Sequence, residues 1–201
     1  MLNLRKIAIT GGIASGKSTV CRILQEHGAY QLNSDKIIHQ LLSEDRSCID
    51  QVTSLLGPSI LVDGKVDRRK IANIVFSNAQ QLKALESILH PKLFEEIETQ
   101  YAIARKALYR FFVVEMPLVQ EIEKTAYFDT IVTVLCNENL AKKRCVFSET
   151  EYIKRMKRHW LPEKKARYAD YKLVNNGSRK ELEKNVLDLI EALNNEEKSS
   201  Q

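Results

Sequence analysis

The stretch Gly11-Gly12-Ile13-Ala14-Ser15-Gly16-Lys17-Ser18-Thr19 follows the apolar run Ile7-Ala8-Ile9 and precedes Val20, Ile23 and Leu24 at helical spacing. The order is strand, glycine-rich loop, helix. Gly11, Gly16, Lys17 and Ser18 fill the pattern G-x-x-x-x-G-K-[ST], which an unrelated chain of this length would show by chance roughly one time in a hundred at average residue usage. In that pattern the backbone N–H groups from Gly12 to Thr19 wrap phosphate oxygens, Lys17 reaches the outer phosphates and the Ser18 hydroxyl ligates Mg²⁺.

The rest of the chain alternates strands with helices. Strands are expected at 6–10, 29–32, 111–115, 130–135 and 171–174, the fourth of them wholly apolar and β-branched as buried parallel strands are. Gly28 suits a helix C-terminus, Asn33-Ser34-Asp35 opens a helix, and Gly57-Pro58 breaks the chain. The segment 62–66 reads as a short turn, after which Asp67 caps a helix reaching Phe76 and Ser77 caps the next. His90-Pro91 reads as a helix junction, and Ser178 with Glu181 as a capping box before a structural helix carrying Leu182, Val186, Leu189 and Leu193. Residues 196–201 form a polar tail, expected to fray. The expected fold is an α/β domain with a parallel five-stranded sheet of the P-loop NTPase type, flanked by helices. Its core is placed at about 1–35, 109–140 and 168–195, with a helical insertion at about 36–108.

Of the 201 residues, 44% are apolar and 28% charged, as in ordinary globular domains. No apolar run approaches the roughly 18 residues that span a bilayer. The first six residues lead straight into the first strand, so a cytoplasmic protein without a signal peptide or membrane partner is expected. Cys21, Cys48, Cys136 and Cys145 are too scattered for a disulfide framework or a zinc site. Cys21, on the helix after the loop, could have a lowered thiol pKa or be a buried inert thiol. The net charge of +5 conceals a bias: residues 142–167 hold ten cations and three anions, leaving −2 for the remainder. Such a segment can meet nucleic acid, a membrane surface or a triphosphate, or simply present solvated helix faces.

Phosphate loops serve motors, GTPases and kinases, so other residues must decide the reaction. No N-K-x-D motif follows, and no D-x-x-G comes after the third strand, which disfavours a GTPase. Asp35 stands at the carboxyl end of the second strand, where open α/β sheets hold their ligands. It could accept a proton from an attacking hydroxyl or merely cap the next helix. Lys142, Arg144 and Arg155 could neutralise a transferred phosphoryl group, with Arg155 assigned to catalysis, although Glu151 is a possible partner for it on an outer helix face.

The chain resembles the dephospho-coenzyme A kinases over nearly its whole length. The resemblance rests on the loop from Thr10 to Val20, Ser34-Asp35, Asp63-Gly64-Lys65-Val66-Asp67-Arg68, Val75-Phe76, Leu89-His90-Pro91, Met116-Pro117-Leu118, Ala169-Asp170 and Asn175-Asn176-Gly177. It implies ATP-dependent phosphorylation of the ribose 3′-hydroxyl of dephospho-CoA, the final step of coenzyme A synthesis, with ATP and Mg²⁺ as cofactors. By the same resemblance Asp35 is the base, and Lys17 and Ser18 bind phosphates and metal. Arg68 and His90 help hold the CoA substrate, unless His90 only caps a helix. Residues of about 141–167 form a lid, Asn176 and Gly177 border the adenine, and a monomer or weak homo-oligomer is expected. Glu115, ending the third strand, either assists the metal through water or is structural. The chain departs from the family pattern at Asn33, where aspartate is usual, at Ala14 for glycine and at His159 for glutamine.

Three rivals stay open. A nucleoside or nucleoside-monophosphate kinase shares the loop and lid. A nucleic-acid-dependent NTPase would use the basic segment, although Phe147, Tyr152 and Trp160 are its only aromatics and no nucleic-acid module is recognisable, so no nucleic-acid partner is expected. A non-catalytic nucleotide-binding regulator is suggested only by Asn33 and Ala14.

Overall fold

The computed structural model describes residues 4–76 and 78–199. In chain order the elements are β1 (Arg5–Gly11), α1 (Lys17–Glu26), β2 (Tyr30–Asn33), α2 (Ser34–Glu44), α3 (Arg46–Leu56), β3 (Leu61–Val62), β4 (Lys65–Val66), α4 (Arg68–Val75) and α5 (Ala79–Lys106). They continue with β5 (Phe111–Glu115), β6 (Thr130–Leu135), α6 (Glu138–Arg144), α7 (Glu149–Met156), α8 (Pro162–Arg167), β7 (Tyr171–Val174) and α9 (Arg179–Ser199). The chain divides into two compact units, one running through Leu32 and resuming at Ala104, the other Asn33–Ile103.

The first unit is built on a five-stranded sheet of order β2-β5-β1-β6-β7. The β1–β5, β1–β6 and β6–β7 pairings are parallel, with Ile7 opposite both Val113 and Thr130 and Val132 opposite Tyr171. Alternation along the strands sorts side chains to the two faces. Ile7, Ile9, Val132 and Val134 meet Val20, Ile23 and Leu24 of α1 and Val186 and Leu193 of α9 in one core. The intervening Thr10 and Thr133 are buried as well, and α8 lies against β1 and β6. Two carboxylates fix strand starts: Asp129 Oδ2 accepts from Lys6 N and Asp170 Oδ2 from Ile131 N, both at 2.7 Å.

In the second unit Leu42, Cys48, Val52, Ile60, Ile71, Val75, Leu85 and Leu89 share a core. Asp63 and Gly64 both have positive φ, 50° and 75°, as the tightest hairpin turns require, so the expected turn is the tip of a β3–β4 hairpin. Asp67 caps α4 through Arg69 N at 2.8 Å. Between the expected helix start at Asn33 and the break at Gly57 there are two helices, because Asp45 leaves helical geometry to cap α3 through Cys48 N at 2.9 Å. Its carboxylate also meets Lys92 Nζ at 2.7 Å, a contact that holds it below the usual carboxylate range.

Two expectations about helices change. Pro91 lies inside the continuous helix α5 rather than at a junction. Proline removes one backbone donor, but Leu85, Leu89, Leu93 and Ile97 form an unbroken i, i+4 buried stripe across it, and that packing holds the helix together. Ser77, expected to cap this helix, lies outside the described residues; Asn78 Oδ1 accepts from Gln80 N and Gln81 N at 3.0 and 3.1 Å. Of the tail, α9 extends to Ser199, and the last two residues lie outside the described ones. Among the described residues no helix is long and apolar enough to cross a membrane.

Because Ile7 is fully buried at the centre of the sheet, Ile7→Ala should lower unfolding free energy by about 2–5 kcal/mol in a urea titration.

Candidate functional site

The loop between β1 and α1 turns through backbone conformations that side chains resist. Gly11 has φ +144°, and a Cβ there would lie 2.3 Å from the Val134 carbonyl oxygen; Gly16 has φ +99°, and its Cβ would lie 2.2 Å from Asn175 Nδ2. Ala14 adopts φ 54°, a left-handed position that glycine would occupy without strain. Gly16 is also the N-cap of α1 and provides no side-chain cap, so the first N–H groups of that helix and its positive dipole end open onto the loop. Ser15 Oγ is buried without a hydrogen-bond partner. Lys17, also buried, donates to the carbonyls of Gly12 at 2.7 Å and Gly11 at 3.2 Å.

A donor set of this kind suits a polyphosphate with a hard cation. Helix-end N–H groups, an unsatisfied hydroxyl and a lysine ammonium fit phosphate oxygens, while Ser18 Oγ donates to Glu115 Oε1 at 2.7 Å and so sets two oxygen ligands side by side. Glu115 is buried at the end of β5, so its carboxylate faces the loop rather than water. Burial, with the Glu115 charge nearby, raises the Cys21 thiol well above its usual range, and the inert reading of that cysteine holds. Among the described residues no group of three or more His, Cys, Asp or Glu side chains could hold a metal.

The turn after β7 completes the loop's frame. Asn175 Nδ2 donates to the Ser15 carbonyl at 2.8 Å, the Asn175 carbonyl accepts from Arg144 Nη1 at 3.1 Å, and Asn176 Oδ1 accepts from Asn137 N at 2.6 Å. Gly177 leaves room for Glu181, whose carboxylate would lie 2.1 Å from a Cβ there.

In the basic segment several cations are already answered locally. Lys142 pairs with Glu138 at 2.7 Å; Arg155 pairs with Glu151 at 2.8 Å and stands over the Phe147 ring at 4.1 Å. His159 differs. Its Nδ1 is buried without a partner, and burial, reinforced by Lys165, Lys17, Arg158 and Arg155, pushes its pKa from 6.5 down to about 4.

Asp35, Arg68 and His90 belong to the second unit. Asp35 is exposed in the first turn of α2, and it is Asn33, not Asp35 or Ser34, that caps the helix: Asn33 Oδ1 accepts from Lys36 N at 2.9 Å. Asparagine caps as well as aspartate, so the loss of the first carboxylate leaves the helix start intact and Asp35 without a capping task. Arg68 is exposed at the start of α4, and His90 is half-buried in the interior of α5 rather than at a helix boundary.

A sequence profile of the dephospho-CoA kinases matches residues 5–181. The chain belongs to this family. It is 43% identical over 199 residues to a dephospho-CoA kinase of Protochlamydia amoebophila, covering 96% of this chain and 98% of that one. Among solved structures, TT1252 from Thermus thermophilus superposes with a TM-score of 0.82 at 27% identity, covering 96% and 98% of the two chains. The dephospho-CoA kinase of Campylobacter jejuni superposes with 0.60 at 25% identity over 94% and 96%.

What escapes sequence reasoning in this kinase fold is how the site residues meet one another. Asn175 stood in the expected turn, but only the structure brings its amide onto the loop 160 residues away in sequence. The unpartnered hydroxyl of Ser15 and the Ser18–Glu115 contact are likewise tertiary facts.

Gly16→Ala should weaken ATP binding at least about tenfold in a calorimetric titration, since the new methyl must displace Asn175 from the loop. The imidazole of His159 is protonated near pH 6.5 in the unfolded chain but only near 4 in the folded one. Its contribution is therefore complete above 6.5 and is lost as the pH falls through 4. His159→Gln should flatten that loss by about 2 kcal/mol between pH 6.5 and 4, read from urea unfolding at each pH.

Proposed function

We propose that this chain transfers the γ-phosphoryl group of ATP to the ribose 3′-hydroxyl of dephospho-CoA, giving coenzyme A. The observation that carries this reading is the intact phosphate cradle, with its uncapped α1 terminus, buried Lys17 and paired Ser18 and Glu115 oxygens, in a chain of the dephospho-CoA kinase family.

In the reaction, backbone N–H groups from Gly12 to Thr19 hold the β- and γ-phosphates, and Lys17 exchanges its two loop carbonyls for phosphate oxygens. Ser18 would hold Mg²⁺ with Glu115 assisting through water, and the metal would supply positive charge against that of the phosphates. Asp35 accepts the proton of the attacking ribose hydroxyl as the oxygen moves on the phosphorus. Residues 141–167 act as a lid over the nucleotide. Arg155 reaches the transferred group by leaving Glu151, an exposed pair of the kind that contributes little to stability. Asn176 and Gly177 border the adenine, while Arg68 and His90 serve the CoA substrate. The reaction takes place in the cytoplasm on a small molecule, with the protein a monomer or weak homo-oligomer and no nucleic-acid or membrane partner.

Incubation with Mg-ATP and dephospho-CoA should yield coenzyme A by mass spectrometry, with adenosine, uridine, CMP and AMP left unphosphorylated; transfer to one of those acceptors instead would assign the chain to a nucleoside or nucleotide kinase. Lys17→Ala should lower kcat/KM for ATP by about a thousandfold. Asp35→Asn should lower kcat by about 10²–10⁴-fold while the Kd for ATP stays unchanged, and unchanged turnover would remove its role as base.

A further inference from the structure

Beneath the phosphate loop lies a lysine with no solvent contact. Lys165, on α8, is 0% exposed, and its ammonium donates to Glu121 Oε2 at 2.7 Å, to the Pro117 carbonyl at 2.7 Å and to Thr10 Oγ1 at 3.3 Å. Three donors meet three acceptors, so the charge is fully used. Burial pushes this ammonium below the ordinary lysine range, and the Glu121 carboxylate opposes the shift. The other oxygen of the same carboxylate, Oε1, accepts from the backbone N–H of Trp160 at 2.7 Å.

The contacts form a line with two informative ends. Thr10 immediately precedes Gly11 and donates its own hydroxyl to the Pro117 carbonyl at 2.9 Å. Trp160 lies in the basic segment just before α8, and Pro162 at the head of α8 lies against the loop, its Cγ 3.5 Å from where a Gly12 Cβ would stand. The backbone of α8 is held as well, since the Lys165 carbonyl accepts from Gln120 Nε2 at 2.8 Å. A buried ion pair is a poor source of net stability compared with apolar packing of the same volume. Its directional bonds, however, admit one arrangement of the groups they join.

We propose that Lys165 and Glu121 are positioning residues for phosphoryl transfer. They hold the base of the lid, from Trp160 to Pro162, in fixed register with Thr10-Gly11-Gly12, so that nucleotide phosphates meet a preset loop and the lid closes from an immobile root. This rests on the reading of 141–167 as the lid. Neither residue touches the reacting atoms; both act through the loop and through Trp160.

The test compares Lys165→Met, Glu121→Gln and the double variant, which buries no orphan charge, by kinetics with both substrates varied and by calorimetric titration with Mg-ADP. In the double variant the KM for ATP and the Kd for Mg-ADP should rise at least about tenfold, with the KM for dephospho-CoA within twofold of the wild type. A purely structural pair would lower the active fraction, hence the apparent kcat, and leave both KM values and the Mg-ADP Kd unchanged; that result overturns the proposal. Should Lys165→Met and the double variant fail to fold, Glu121→Gln, which keeps the side chain's shape, should still raise the Mg-ADP Kd about threefold or more, and an unchanged value would overturn the proposal. If the wild type makes no coenzyme A, the kinase reading fails, and the Mg-ADP affinities of the variants still decide whether the pair sets the loop.

Discussion

The side-chain amide of Asn175, bonded to the Ser15 carbonyl at 2.8 Å, pins the phosphate loop at its helix end. At the other end of the loop the Val134 carbonyl stands where a Gly11 side chain would be. Both restraints come from the same side of β1, one from β6 beside it and one from the residue after β7, the next strand out, so the curvature of the loop depends on the order and register of three parallel strands. A slip of one residue between β6 and β7 would move Asn175 off the loop, and the N–H groups would no longer converge. The loop sequence supplies freedom at Gly11 and Gly16; the sheet removes it again in one particular shape.

Much of this could be read in the chain before any coordinates. The loop, the five strands and the Asp67 cap all follow from local signals, and so does the Ser178–Glu181 box, in which Glu181 Oε2 accepts from Ser178 N at 2.6 Å and Ser178 Oγ accepts from Glu181 N at 3.3 Å. Local signals fail where packing outvotes them. Pro91 looks like a boundary, yet a stripe of leucines and isoleucine runs past it unbroken; Asp45 looks unremarkable between two helical stretches, yet its carboxylate splits them by capping the second. The polar pairings that frame the candidate site were hidden for another reason. Glu121 and Lys165 are 44 residues apart, and nothing in either neighbourhood names the other. A lysine in a basic stretch reads as solvated charge, and only the tertiary structure shows it wholly buried.

The basic segment is less free than its composition suggests. Lys142 and Arg155 are each matched by a glutamate one helical turn away, on surfaces open to water. Such i, i+4 pairs contribute only about 0.3–0.5 kcal/mol each, so they organise short helices such as α6 and α7 without committing the cations. On the proposed reading a triphosphate recruits these groups at small cost, whereas the pair at Lys165, shielded from water, keeps its partner.

Lys17 has the opposite arrangement to an empty-handed cation. Its ammonium donates to the carbonyls of Gly11 and Gly12. An incoming molecule must therefore outbid two peptide oxygens. Anionic phosphate oxygens do so because they add the attraction of opposite charges to the hydrogen bond, which a neutral carbonyl cannot. A nucleoside, however well its base and sugar fit, brings no such charge. On the proposed reading the loop sorts visitors by charge before shape is consulted, and the latch that does the sorting is made from the loop's own backbone.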